Sequence, residues 1–251
     1  MLYLCAKKRC DSSSVGRASA SQAEGRGFEP RLSLLVMLSS RKDLIVIGVF
    51  IVLAVTDFLP IHLPAQMIFP VLWLSLCALC RKQWALTAAL FFSFLGDVMG
   101  WRNELIPQIG CFAVAQILYI IIYSRLMPPK TTWEKPMRYV PLVLVASVYG
   151  VAMCWIFPRV EDKLIAYGIA IYAILLLGMC YAAWRHKNVC LIIGATLFVL
   201  SDFIIGVNMF VERIPHAHMS IMIPYYAGQM LLFVGTQKLY RLTSCSCNCS
   251  S

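Results

Sequence analysis

Charge is what this chain has least of. Asp, Glu, Lys and Arg make up only 14% of its 251 residues against 60% hydrophobic, where a soluble domain carries about 25% and roughly 45–50%. So large an apolar excess cannot fit inside one soluble core. Acids are the scarcer sign, 12 against 22 cations, for a net charge of +10. That balance suits a nucleic-acid binder, but no basic face with interleaved aromatics occurs, and this reading is excluded. A zinc-site pattern is also missing: Cys77 and Cys80 form a CxxC with no second pair and no nearby His. Cys77, Cys80, Cys111, Cys154, Cys180 and Cys190 fall in or beside apolar blocks, where cysteine behaves as a small hydrophobe.

What is there is a series of apolar blocks about twenty residues long, the length an α-helix needs to cross a hydrocarbon layer roughly 30 Å thick. Eight follow Lys42, at roughly 43–60, 65–80, 84–101, 105–126, 138–157, 163–184, 189–210 and 218–240. The expected architecture is therefore all-α, a polytopic bundle of eight transmembrane helices with short connections and antiparallel neighbours. Cytoplasmic loops are enriched in Lys and Arg. Placing the N-terminus inside puts Arg41, Lys42, Arg81, Lys82, Arg125, Lys130, Lys135, Arg138, Arg185, Lys187, Lys238 and Arg241 inside, and only Arg102, Arg159, Lys163 and Arg213 outside. Both termini are thus expected in the cytoplasm, and the plasma membrane (in bacteria the inner membrane) is the expected location.

The flanks differ from the bundle, 37–241. Residues 1–36 are rich in Ser, Arg, Gly and Glu, and nothing in them could pack or span. They resemble the conceptual translation of a transfer-RNA gene, so the expectation is a start set too far upstream, with Met37 as initiator. They lack the clean apolar run and small-residue cleavage site of a signal peptide. Residues 242–251, with Cys245, Cys247 and Cys249, read as a Cys/Ser-rich disordered tail, acylation or metal binding being the alternatives.

A charged side chain inside a bilayer costs roughly 2.5–3.5 kcal/mol for Asp on insertion scales, so each needs a reason. Asp97 lies thirteen residues past Trp84, about 20 Å along a helix at 1.5 Å per residue. Asp202 lies thirteen past Val189 and Asp57 fourteen past Asp43, so all three reach similar depth in the outer half. Gln116 and Gln229 come near mid-membrane from the other side. Tyr225 shares a face with Gln229 four residues on, beside Tyr226, and Asn208 falls on one stripe with Ser201. A polar pocket open toward the outer leaflet is the picture these positions give.

Plainer readings stand beside this one. Asp57 adjoins Phe58-Leu59-Pro60 at a helix end, where it is either solvated or part of the site. Gln116 and Gln229 also suit interhelical hydrogen-bond glue. His62, His216 and His218 read as surface groups of outer loops, and Trp73, Trp101, Trp133, Trp155 and Trp184 as an interfacial belt. The segments Leu90–Asp97 and Leu197–Asp202 echo each other, too briefly to establish a duplication.

Two acids in one low-dielectric pocket divide acid and base labour when their environments differ. Such a pair can protonate a substrate and stabilise a developing cation, carry protons or bind a cation for transport, or activate water for peptide cleavage. Intramembrane aspartyl proteases use Gly-x-Gly-Asp; Phe94-Leu95-Gly96-Asp97 lacks the first Gly and no Pro-Ala-Leu occurs, which makes peptide cleavage the weakest of these.

The motifs Gly194-Ala195-Thr196-Leu197-Phe198-Val199-Leu200-Ser201-Asp202, Asn208-Met209-Phe210, Pro215-His216-Ala217-His218 and Pro224-Tyr225-Tyr226-Ala227-Gly228-Gln229, with Ser93-Phe94-Leu95-Gly96-Asp97, resemble those of the lysoplasmalogenase-like YhhN family over roughly residues 43–240. One departure is Gln116, where many members carry His. The resemblance implies eight helices and hydrolysis of the vinyl-ether bond of lysoplasmalogen to a fatty aldehyde and a glycerophospho-base. Protonation of the β-carbon gives an oxocarbenium ion that water captures, work for a neutral acid and an ionised partner. Asp97 and Asp202 fit those roles in an order the sequence does not assign, with Asn208, Tyr225, Tyr226, Gln229, Gln116 and Asp57 orienting water and substrate. The chemistry calls for no metal or cofactor, and the implied partners are a lysolipid substrate and membrane lipids, with no nucleic acid and no obligate protein partner. A transporter or lipid-binding protein using the same acids is the alternative.

Overall fold

The computed structural model describes residues 41–59, 66–126 and 140–248. Residues 1–36, Met37, His62, Lys130, Trp133, Lys135, Arg138 and Cys249 lie outside the described residues. The rest is helical: α1 (Arg41–Thr56), α2 (Phe69–Cys80, after a 3-10 turn at Gln66–Ile68), α3 (Trp84–Trp101), α4 (Leu105–Arg125), α5 (Val140–Trp155), α6 (Lys163–Trp184), α7 (Val189–Phe210) and α8 (Ala217–Asn248).

Local chemistry sets these boundaries. Asp162 caps α6, its carboxylate accepting from Leu164 N at 2.7 Å and Ile165 N at 3.2 Å, and Asn188 caps α7 by accepting from Cys190 N at 3.0 Å. Four short turns are closed by non-glycine residues in the left-handed region, Lys82, Asn103, Lys187 and His216. The helix α8 continues to Asn248, into the segment expected to be a disordered tail. Its last twelve residues contain no Gly or Pro to stop it.

Four helices, α3, α4, α6 and α7, are long and apolar enough to cross a membrane, and the chain is a multi-pass membrane protein. Of the others, α1 and α5 have 16 residues each and α2 has 12, about 24 Å and 18 Å at 1.5 Å per residue. Those lengths fall short of the roughly 30 Å hydrocarbon layer unless flanking residues extend them.

The ends of the bundle are marked by polar ties. Asp43 in the first turn of α1 pairs with Arg81, just past α2, at 2.9 Å and with Arg241 on α8 at 2.6 Å. The start of α1, the end of α2 and the far part of α8 therefore share one end. Trp73 ties α2 to α1 by donating to the Val46 carbonyl at 3.0 Å.

The most extensive helix pair is α7 with α8, and two glycines permit it. A Cβ on Gly228 would lie 3.0 Å from the Gly194 carbonyl oxygen and 3.1 Å from Phe198 N; one on Gly194 would lie 2.9 Å from Leu232 N. These obstacles are backbone atoms and cannot swing aside. Gly228→Val is expected to cost about 1–3 kcal/mol through overpacking, read as a lower thermal midpoint in detergent. Gly110→Ala and Gly168→Ala, where nothing lies within 4 Å of an added Cβ, should leave the midpoint unchanged or raise it slightly.

In the turn between α6 and α7, His186 is 5% exposed and its Nε2–H donates to the Tyr123 carbonyl at 2.8 Å. Burial pushes its pKa below the ordinary 6.5. Below pH 6.5 the unfolded chain takes up a proton that the folded one refuses, so stability contributed by neutral His186 is lost as pH falls toward its lowered folded value. The thermal midpoint should drop between about pH 7.5 and pH 5.5, and His186→Gln should remove part of that drop.

Candidate functional site

An acid buried among apolar helices must be hydrogen-bonded, because a bare carboxylate costs far more than the contact that satisfies it. Each of the three acids singled out by sequence meets a tyrosine hydroxyl from another helix. Asp97, on α3 and 3% exposed, accepts from Tyr225 of α8 at 2.9 Å. Asp202, on α7, accepts from Tyr172 of α6. Asp57, one residue past α1, accepts from Tyr226 of α8 at 3.0 Å.

Further polar groups order these pairs. Tyr119 on α4 donates to Gln229 Oε1 at 3.4 Å, Gln229 Nε2 donates to the Tyr225 oxygen at 3.3 Å, and Tyr225 donates to Asp97. This directed chain joins α4, α8 and α3. Phe112 and Phe198 flank it, both edge-on to Tyr225 with ring centroids 6.1 Å and 5.5 Å away. Gly96 lets Phe112 approach, since a Cβ there would sit 2.7 Å from its ring. Beside Asp202, the Ser201 hydroxyl donates to the Ile221 carbonyl at 2.9 Å, stitching α7 to α8.

Asp97 and Asp202 line the same cavity, about 440 Å³, together with Tyr225, Asn208, Ser201 and Phe112. Gln108, Asn103, Arg213 and His218 add polar wall. Asp97 lies within electrostatic reach of both Asp202 and Asp57. The two acids predicted at one depth on α3 and α7 thus share one chamber.

The supporting residues divide. Asn208 and Tyr225 are on the cavity wall, whereas Tyr226, Gln229, Gln116 and Asp57 stand behind it. Asn208 also anchors the connection to α8, its Oδ1 accepting from Ile214 N at 3.0 Å. Gln116 is fully buried against the Tyr172 hydroxyl, yet neither amide atom closes a hydrogen bond of ordinary geometry among the described residues. Asp57 is not a solvated helix end: its side chain is 6% exposed and also meets His218 Nε2 at 2.9 Å. His218, expected on the surface of a loop, lies in the first turn of α8, half-exposed, with its ring on the cavity wall.

Sequence reasoning missed Tyr172 and Tyr119. The available signal was a phenol within an apolar span, whose hydroxyl needs a partner when buried. It missed the Asp57–His218 contact because 161 residues separate the two and no local spacing announces it.

The model of the YhhN family matches residues 41–236. The chain belongs to the YhhN family. Among curated relatives it is 29% identical over 155 residues to human lysoplasmalogenase TMEM86B, covering 59% of this chain and 61% of that one. It is 26% identical over 158 residues to the pig TMEM86B lysoplasmalogenase, covering 62% and 65%. With bovine lysoplasmalogenase TMEM86A the identity is 25% over 156 residues, covering 57% and 61%. The chain thus spans a little over three-fifths of the length of these relatives. No solved structure matches it significantly. The family match takes in all three acids and their three tyrosines.

The Asp57 cluster yields a test. Asp57→Ala removes the acceptor that Tyr226 and His218 share, leaving Tyr226 only the Met67 carbonyl at 3.2 Å, and should cost about 1–2 kcal/mol, measured by thermal unfolding in detergent. A solvated helix-end acid would change stability by no more than about 0.5 kcal/mol.

Proposed function

We propose that this protein is a membrane-embedded hydrolase of the lysoplasmalogenase type, cleaving the vinyl-ether bond of lysoplasmalogen or a related lysolipid. The observation that carries the reading is the presence of Asp97 and Asp202 on the wall of one cavity in an apolar bundle. Curated relatives named lysoplasmalogenase support it independently.

The chemistry suits the site. One acid delivers a proton to the β-carbon of the vinyl ether, and the ether oxygen stabilises the resulting cation as an oxocarbenium ion. The other takes a proton from the water that attacks C1, and the hemiacetal then collapses to aldehyde and alcohol. Tyr225 and Tyr172 fix the two carboxyl groups; Gln229 and Tyr119 brace Tyr225; Asn208 holds the connection that forms part of the wall. Asp57, Tyr226 and Gln116 support from behind. In the membrane we propose eight spans with both termini in the cytoplasm, the cavity facing the outer half of the plasma membrane, as the excess of cations at the Asp43 end supports.

Purified protein should release fatty aldehyde from lysoplasmalogen. Asp97→Asn and Asp202→Asn should each lower that rate by about 10²–10⁴-fold, the range for losing one acid–base group, without changing thermal stability enough to unfold the protein. No aldehyde from folded wild type overturns the reading.

A further inference from the structure

Asp202 differs from Asp97 in what it faces on its other side. Two smaller clefts, each about 80 Å³, also have Asp202 in their walls. The first lies between α4, α6 and α7 and shares Leu105, Gln108, Phe112, Ile205 and Met209 with the main cavity. The second lies between α5, α6 and α7. Ile169, Tyr172 and Gly206 belong to both clefts. Asp202 lines all three spaces; Asp97 lines only the polar cavity. The walls of the clefts are otherwise almost wholly aliphatic and aromatic.

A polar chamber and an apolar slot meeting at one carboxyl match the layout of an ether lysolipid. Its vinyl ether lies between a polar glycerol head and a hydrocarbon chain, with the β-carbon on the chain side and the ether oxygen on the head side. We propose, resting on the hydrolase reading above, that the hydrocarbon chain occupies the clefts beside Tyr172 and Gly206, so that Asp202 is the acid that protonates the β-carbon and Asp97 the base that directs water at C1. The head group then occupies the main cavity.

The steps balance. The Asp202 proton and the π electrons form a new C–H bond at the β-carbon, and an oxygen lone pair forms the C=O bond of the oxocarbenium ion. Water adds at C1 and its proton goes to Asp97. On collapse the hemiacetal hydroxyl gives its proton to Asp202, the bond from C1 to the glycerol oxygen breaks, and that oxygen takes the proton held by Asp97. Both carboxyls end as they began. No oxidant or reductant is consumed.

Two measurements test this on the purified full chain, after wild type has been shown to release aldehyde; absence of that activity would instead defeat the hydrolase reading. The first uses azide, a nucleophile that needs no base. In Asp97→Ala, azide should capture the oxocarbenium ion at C1 and restore consumption of lysoplasmalogen, giving an azido-ether product, with Asp202 regaining its proton from solvent. Asp202→Ala should not be restored, because no cation forms without the acid. Restoration in Asp202→Ala, or in neither variant, overturns the assignment. The second measurement fills the clefts. Gly206→Leu and Ile169→Trp should raise KM for a long-chain alkenyl substrate about tenfold more than for a four-carbon analogue with the same head group, because buried chain contacts grow with each methylene. At Gly206 an added Cβ would meet only the Ile156 side-chain tip, at 2.9 Å, so that variant should fold. An equal effect on both substrates in both variants removes the chain from the clefts.

Discussion

The structure depends on one constraint: a carboxyl placed among apolar helices has to find a donor, and here each donor is a tyrosine on a different helix. Asp97 is tied to Tyr225, Asp202 to Tyr172 and Asp57 to Tyr226. A phenol suits this task because its ring adds to the apolar packing while its hydroxyl supplies the bond. The three pairs also fix how helices stand. Two of the three tyrosines are adjacent on α8, so that helix sets the position of the acid just past α1 and of the acid on α3.

That role requires α8 to be placed accurately, and the backbone approach at Gly194 and Gly228 provides the accuracy. With neither residue carrying a Cβ, α7 and α8 come close enough for their main chains to touch, as small residues allow in membrane bundles generally. Ser201 then bonds to the Ile221 carbonyl one residue before Asp202. The position of Asp202 relative to Tyr225 and Asp97 thus follows from α7–α8 contact. The same glycines occur in the motifs that marked the family in sequence, which gives those motifs a packing reason as well as a chemical one.

Much of this was legible from the chain alone, and unevenly so. The boundaries of α3, α6 and α7 follow directly from hydropathy, since each apolar run is closed by a charged or capping residue such as Arg102, Asp162 or Asn188. The acids stood out because an ionisable group in a span is costly. What hydropathy could not reveal is pairing across helices. Tyr172 lies in a long apolar run with nothing beside it to mark it, and only folding brings it to Asp202. Asp57 looked exposed by its local sequence; it is buried by Tyr226 and His218, which come from a distant helix. The extension of α8 to Asn248 was hidden for the opposite reason, because the polar Ser and Cys residues there suggest a loop while none of them stops a helix.

The position of Gln116 on α4 bears on mechanism. Gln116 is fully buried behind Tyr172 and off the cavity wall, so a group at this position reaches the chamber through Tyr172 and Asp202 rather than directly. The chamber's own imidazole is His218, held by Asp57. Neither position puts an imidazole between Asp97 and Asp202. Under the hydrolase reading, carboxyl groups and water suffice for vinyl-ether cleavage: protonation at carbon needs an acid of moderate strength, and the cation that follows is stabilised by its own oxygen. On that reading, substrates that lack such an internal donor would demand more of the same two acids.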